Sequence, residues 1–543
     1  MDPFWPVEKL WPRRLLDTQT MTSLERQNGN VYGDAVEPRY SILSYTWGRW
    51  PEPKASALEV AGVSWRIPAV ETRRFTAAAF RHVVRRMCEI SGCRFAWVDV
   101  ACIDQEDRAA KMDEVGRQAG IFANAERVFV WLWTLAPDAL KAALADIVDA
   151  TNFSLEPARR ATLVATLETL LGDWWFSSLW TLQEGILRDD AVLLARDGAP
   201  IVKEDPSLYN LEHGHVHVKL FDLLLGIWSL SNAVLMDPEW DAEAADQVRG
   251  LIERTGYITG LSSNPNVHFG MATASRTATN ELDNIYGIMS IYDLRVGAAA
   301  ENPARGADRE YTLAELAEEF AAALNAKSPM LAQMFVHAEP PRPGASWQIT
   351  QRSRVPWDFI IWNEQYRTSE DFVIAAQPGV GVTITGSACP LASLFGAWKA
   401  LNPGAGENGD EDGDVDDTNS SAYYFCVIPD DYLSTSHAGT IPARRPRRGL
   451  AYTPEQAHGG AAGLLAAFGS ERVVVVRMGD RRVEGVAGSE EILGLILLRE
   501  EDDGGGDPPQ GPSCRRLGIC AWAVNPPREQ SVLEWTRFEG SFH

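Results

Sequence analysis

FAWVDVACIDQEDRAAKMDEVGRQAGIFANAERVFVWL, residues 95–132, holds two apolar runs on either side of a helical pattern. The runs at 95–100 and 127–133 are short and rich in aromatic and β-branched residues, the composition of buried strands. Between them Met112, Val115, Ala119 and Phe122 recur at three- and four-residue spacings, which predicts a helix over 109–125. Strand, helix, strand in so short a span predicts two parallel strands joined by a right-handed crossover.

Working outward extends the same alternation. YSILSYTW (40–47) reads as an earlier buried strand, stopped by Gly48 and Pro51. A helix follows over 72–90, with Phe75, Ala79, Val83, Met87 and Ile90 in line and Gly92 as its C-cap. Beyond residue 133 come a helical insertion (137–171), the amphipathic stretch WWFSSLWTLQEGIL (174–187) and a short strand AVLLA (191–195). Continuous apolar strands alternating with helices predict an α/β domain whose parallel sheet is flanked by helices. Residues 1–38, punctuated by Pro and Trp, read as an arm, and 57–67 as a small hairpin. Residues 205–335 read as a helical region and 336–543 as a β-rich region, so the first domain is taken as 1–204. Two Gly- and Asp-rich breaks near 404–421 and 500–512 read as disordered loops.

A chain of 543 residues is too long for one core. Apolar residues at 45% and charged residues at 23% are those of a globular protein. With 50 basic against 74 acidic residues the net charge is −24, which argues against nucleic-acid binding. Seven scattered cysteines without a CxxC pair suit a reducing compartment, and the N-terminus lacks a signal-like apolar run. The most apolar run, 220–236, contains Asp222 and reads as a buried helix, not a membrane span. The expected location is the cytoplasm.

In an open parallel sheet, ligands bind beyond the carboxyl ends of the strands. There the sequence places Ser44, Tyr45, Thr46, Trp47 and Gly48, then Asp99, Cys102, Asp104 and Gln105, then Trp180, Gln183 and Glu184. Glu184 is either a structural carboxylate, for instance paired with Arg188 one turn on, or one kept for chemistry. Asp99 and Asp104 also suit loop caps, Cys102 a packed thiol, and Trp47 and Trp180 core positions. Asp283 with Arg276 reads as a structural ion pair. His213, His215 and His217 alternate along one strand face, but without a nearby Cys or HExxH helix no metal site is expected. No GxGxxG follows a strand, and no P-loop or GxSxG motif occurs.

Three blocks resemble the signature of the fungal heterokaryon-incompatibility (HET) domain: YSILSYTWG (40–48), the opening stretch (95–132) and WTLQEGIL (180–187). SRTATNELDNIYGIM (275–289), and ASW (345–347) with VPW (355–357), resemble segments that follow in such proteins. The departures are Asp104 where Asn is commoner and Ser178-Leu179 where Arg-Gly usually precedes the Trp. The HET domain in turn resembles, more remotely, the Toll/interleukin-1-receptor (TIR) domain, which implies a TIR-like, flavodoxin-like sheet. Some TIR domains cleave NAD⁺ with a glutamate on the helix that Glu184 matches. The resemblance therefore implies an effector of non-self recognition and regulated cell death, with Glu184 catalytic and the other residues around the ligand. NAD⁺ would be a substrate, with no tightly bound cofactor, and a protein partner or self-association would activate the chain. A non-enzymatic assembly domain is the alternative, and a base exchanger or cyclase at the same site a third reading.

Overall fold

The computed structural model describes residues 7–47, 57–70, 74–152, 156–204, 215–236, 240–257, 264–301, 309–356, 359–360, 365–377, 381–401, 425–438, 440–441, 454–482, 490–500, 511–524 and 533–543. Gly48, His213, Trp357, the acidic stretch 404–421 and most of 500–512 fall outside them. The chain forms two compact units, Met1–Ser262 with Met271–Leu316, and Ser263–Gly270 with Ala317–His543.

The first unit is built on a mixed sheet of six strands among the described residues: β1 (Arg14–Asp17), β2 (Thr22–Glu25), β3 (Tyr40–Ser44), β4 (Phe95–Trp97), β5 (Arg127–Trp131) and β6 (Val192–Leu194). Their order is β2-β1-β4-β3-β5-β6. β4, β3, β5 and β6 run parallel. This is the 2-1-3-4 order of flavodoxin-like sheets, and its direction reverses between β3 and β5. Helix α1 (Ala77–Ser91) connects β3 to β4, and α2 (Arg108–Gly116) with α3 (Gln118–Asn124) connects β4 to β5. Between β5 and β6 lie α4 (Pro137–Asn152), α5 (Pro157–Leu171) and α6 (Leu179–Leu187). Thr76 caps α1 by accepting the Ala79 N–H at 3.1 Å, and Gly92 ends it in the left-handed region at φ 69°. Every residue of β3 and β4 is buried, as a strand covered on both faces requires.

Four local readings differ from the structure. Residues 14–25, read as part of an arm, form β1 and β2, which extend the sheet antiparallel to β4 through Leu16–Ala96 and Asp17–Phe95 pairing. β4 stops at Trp97, because the Asp99 carboxylate accepts the Val100 N–H (2.7 Å) and starts a helical turn, Asp99–Cys102. The helix expected over 109–125 breaks at Arg117, immediately after Gly116, a poor helix former. Residues 57–67 form no hairpin either; Ala61 pairs with the β2 edge, accepting from Ser23 N at 2.8 Å.

Helices α7 (Leu220–Met236) and α8 (Ala242–Glu253) follow β6 and pack on each other and on α4 and α5. Among the described residues, no helix is long and apolar enough to cross a membrane. In the second unit, β7 (Tyr366–Thr368), β8 (Val373–Gln377), β9 (Gly381–Pro390), β10 (Phe425–Pro429), β11 (Val473–Arg482), β12 (Glu490–Arg499), β13 (Ser513–Val524) and β14 (Thr536–Phe542) form one sheet. β9 pairs with both β14 and β11, so the sheet closes on itself. Arg516, without solvent exposure, is tied there to Asp430 (3.4 Å) and Gln333 (2.8 Å). All seven cysteines are buried free thiols.

Glu114 joins the N-terminal strands to this framework. Its carboxylate, 1% exposed, accepts the Arg13 N–H (3.0 and 3.2 Å), Trp97 Nε1–H (3.3 Å) and Arg117 Nη1–H (3.4 Å). Removing it leaves the Arg13 N–H and the buried Trp97 Nε1–H without this acceptor, while Arg117 keeps Trp11 O at 2.6 Å. Glu114→Ala should lose about 2–3 kcal/mol of unfolding free energy by the cost of leaving buried donors unsatisfied. Urea denaturation reads this directly; a variant as stable as the wild type would refute the role.

Candidate functional site

The site is assembled around the start of α6. Asp173 fixes the approach: its carboxylate accepts Trp175 N (3.0 Å), Thr134 N (3.1 Å) and Thr134 Oγ1 (2.8 Å). A 3-10 turn, Trp174–Phe176, then drops the fully buried Trp175 beneath the sheet edge. Leu179, Leu182 and Gln183 form the buried face of α6, while Ile186 is half-buried.

Arg276 braces this turn from behind. It is 4% exposed and donates to Thr255 O (2.7 and 2.5 Å), Trp175 O (3.1 Å), Ser178 O (2.8 Å) and Thr181 Oγ1 (3.1 Å). Tyr257 stacks on Trp175 with ring centroids 6.2 Å apart, and the Arg276 guanidinium lies 4.9 Å from the Tyr257 ring centroid. Burial pulls the Arg276 pKa down to about 10. Gly185 is required where α6 meets this stack, because a Cβ there would overlap the Tyr257 hydroxyl.

Ser44 ends β3, opposite Val130 of β5, at the reversal of strand order. Its Oγ donates to Glu184 Oε2 at 2.5 Å and accepts the Trp175 Nε1–H at 2.8 Å. Next to it Tyr45 donates its hydroxyl to Asp99 Oδ1 at 2.5 Å. Glu184 and Asp99 are both partly exposed. Burial pushes the Glu184 carboxyl up to about 8; the nearby Asp99 charge adds to the rise and the Ser44 hydrogen bond opposes it. Burial likewise raises Asp99, and it raises Tyr45 well above an ordinary phenol. Two carboxyl groups biased toward their neutral forms, one of them against a serine hydroxyl, can hold hydroxyls, move a proton, or receive a cation.

Of the residues expected at the ligand edge, the structure brings Ser44, Tyr45, Asp99 and Glu184 together. Trp47 stands beside them, packed edge-on against Tyr45 and Phe80, its Nε1–H donated to Pro68 O at 3.1 Å. Thr46 Oγ1 is buried without a hydrogen-bond partner. Cys102 turns into the core, 1% exposed, and burial pushes its thiol up to about 12, so it is no nucleophile. Asp104 accepts from Glu106 N and Asp107 N as a loop cap, and Gln105 bonds Ile103 O. Gln183 is fully buried between Gln118 (2.9 Å) and Ser290 N (2.9 Å). Trp180 donates to Asp283 at 3.2 Å.

Two expected structural pairs are not the ones formed. Arg188 binds Asp190 (2.6 Å) and the carbonyls of Phe122 and Ala125 instead of Glu184. Arg276 faces carbonyls and Asp283 faces an indole, since a guanidinium this deeply buried is satisfied by the frayed start of α6. His215 and His217 lie in the strand His215–His217, paired antiparallel with Val202–Glu204.

Trp175, Tyr257 and Arg276 shape the site without having been singled out for it. Arg276 stood in the SRTATNELDNIYGIM segment, but nothing local tells that its partners lie about a hundred residues earlier, as in Trp175 and Ser178.

Residues 40–184 match the model of the family described as Heterokaryon incompatibility protein (HET). No curated protein and no solved structure matches the chain.

Glu184 should leave a signature in stability. An unfolded glutamate ionises near about 4.3, while the folded one holds its proton up to about 8. Between those values the folded chain binds the extra proton, so stability falls as pH rises across the window and levels off above it. The stability advantage of Glu184→Gln over wild type, measured in urea, should therefore grow from about pH 5 to about pH 9. A difference that stays constant across that range would contradict the shift.

Proposed function

Taking as premise that this chain carries a HET domain, and with it a role in heterokaryon incompatibility, we propose that it acts by cleaving the nicotinamide–ribose bond of NAD⁺ at Glu184. The observation that carries the reading is the state of that carboxyl. It stands at the strand-order reversal, partly exposed, held by the Ser44 hydroxyl, with no cation paired to it among the described residues. A second carboxyl, Asp99, lies close enough to raise its pKa further. Such a pair is relieved by a ligand that brings positive charge.

NAD⁺ supplies it twice, in the nicotinamidium ring and in the oxocarbenium-like state formed as the C1′–N bond breaks. The bonding pair leaves with nicotinamide. Water adds to C1′ and gives up a proton, so the products are nicotinamide, ADP-ribose and H⁺. Ionised Glu184 faces the cationic carbon, Ser44 holds the carboxylate's orientation, and Tyr45–Asp99 accepts the ribose hydroxyls. Trp47 offers an aromatic surface for a planar ring. The TIR-like order of elements supports the same placement of Glu184. Self-association or a protein partner would switch the site on, in the cytosol, and the outcome would be regulated cell death. Seven unpaired thiols support a reducing location.

The assembly reading has one observation in its favour: Trp180 and Gln183, expected to touch ligand, are engaged in bonds within the fold. Purified full chain given NAD⁺ separates the two. Nicotinamide should be released, faster as pH rises through about 8 because the ionised carboxylate is the working form. Glu184→Gln should lose at least about 10²-fold while its urea midpoint is preserved, as expected when the charge facing the transition state is removed. Equal turnover by that variant, or no release by wild type under conditions of assembly, would reject the mechanism.

A further inference from the structure

A second concave site in the first unit is lined by none of Ser44, Tyr45, Asp99 and Glu184. The turn Gln19–Met21 after β1, the segment 58–67 and α1 line an open cavity of about 580 Å³. That volume lies within the range of small-ligand sites. Arg81 and Arg85 line it from α1, where a four-residue spacing stacks them on one face. Arg81 Nε is buried and makes no hydrogen bond. Among the described residues neither arginine forms an ion pair, although the chain has 74 acidic residues to supply one. Glu59 also lines the cavity, but it is exposed. The rest of the lining mixes Gln19 and Thr20 with Met21, Leu58, Val63 and Ile67.

The walls are pre-formed. Ser23 N donates to Ala61 O (2.8 Å) and Ala61 N to Met21 O (2.9 Å), which pins the segment to β2. Trp65, 5% exposed, anchors the far end through Nε1–H to Val100 O at 3.0 Å. Gly62, at φ 77°, lets the backbone pass Ser23 O, and its carbonyl accepts from Arg14. A pre-formed pocket of mixed lining, with two guanidiniums on one side that are unpaired among the described residues, suits a negatively charged group carried on a small organic body. Guanidinium forks match tetrahedral phosphate and planar carboxylate alike, phosphate with the greater charge.

We propose that this cavity binds a small organic phosphate, its phosphate held by Arg81 and Arg85 and its apolar part against Met21, Leu58, Val63 and Ile67. The test is calorimetric titration of the full chain with phenyl phosphate, benzoate, phenol and inorganic phosphate. Phenyl phosphate should bind at least about tenfold tighter than phenol or inorganic phosphate, each of which lacks half of the ligand, a tenfold change being the size expected from one good charge-assisted contact. Tighter binding of benzoate would overturn the phosphate assignment. Arg81→Gln/Arg85→Gln should lose the binding, and Arg85→Gln alone, at an exposed position, should weaken it where the double variant is unstable. Glu184→Gln should bind as wild type does, which keeps this test separate from NAD⁺ cleavage. Absence of phenyl phosphate binding at millimolar concentration, or binding indifferent to both arginine variants, would overturn the proposal.

Discussion

The position of Glu184 depends on a buried guanidinium that never touches it. Arg276 binds the carbonyls of Thr255, Trp175 and Ser178, and so fixes the turn from which α6 departs. Trp175, held there, donates to Ser44, and Ser44 donates to Glu184. Burying a full charge without a carboxylate partner is costly, and here carbonyl dipoles and two aromatic faces offset it. The consequence is local order: a short loop that would otherwise fray is held by bonds to residues far along the chain.

The electrostatics of the site follow from the same arrangement. Because Arg276 is saturated by carbonyls, its charge is not offered to the carboxylates. Glu184 and Asp99 are left as neighbours of like sign, held by the Ser44 and Tyr45 hydroxyls and, for Asp99, the Val100 N–H. Asp17, paired with Arg94 at 2.6 Å, has its pKa lowered, whereas burial raises Asp173 and Asp283 as it raises Glu184. What sets Glu184 and Asp99 apart is that the two raised carboxyls are neighbours at the ligand edge of the sheet.

Much of this was legible in the chain. Continuous apolar strands and helical spacings gave the parallel core, because burial on both faces leaves no alternation to misread. Ser44, Tyr45, Asp99 and Glu184 could be proposed as neighbours because topology alone carries strand ends to one edge. What failed was governed by single side chains or by distance. Asp99 ended β4 early through its own carboxylate, and Gly116 preceded a break that the spacing of Val115 and Ala119 hides. β1 and β2 are hidden from a local reading because strands this short are specified by their partners, β4 for β1 and β1 for β2, more than by their own residues. Gln183 and Trp180 share a helix with Glu184, but their bonds to Gln118, Ser290 and Asp283 depend on contacts that no local pattern encodes.

The family match ends at residue 184, on the carboxylate itself. The next residue, Gly185, is the one that must lack a side chain so that Tyr257 can lie against Trp175. The unit that can hold Glu184 in place therefore extends at least to Arg276, through α7 and α8, well past the matched segment. A fragment cut at the family boundary would carry the carboxylate and the serine but none of the brace behind them. Any exchange of this domain between chains would have to move the Tyr257–Arg276 stretch as well to keep Trp175 and Glu184 in place.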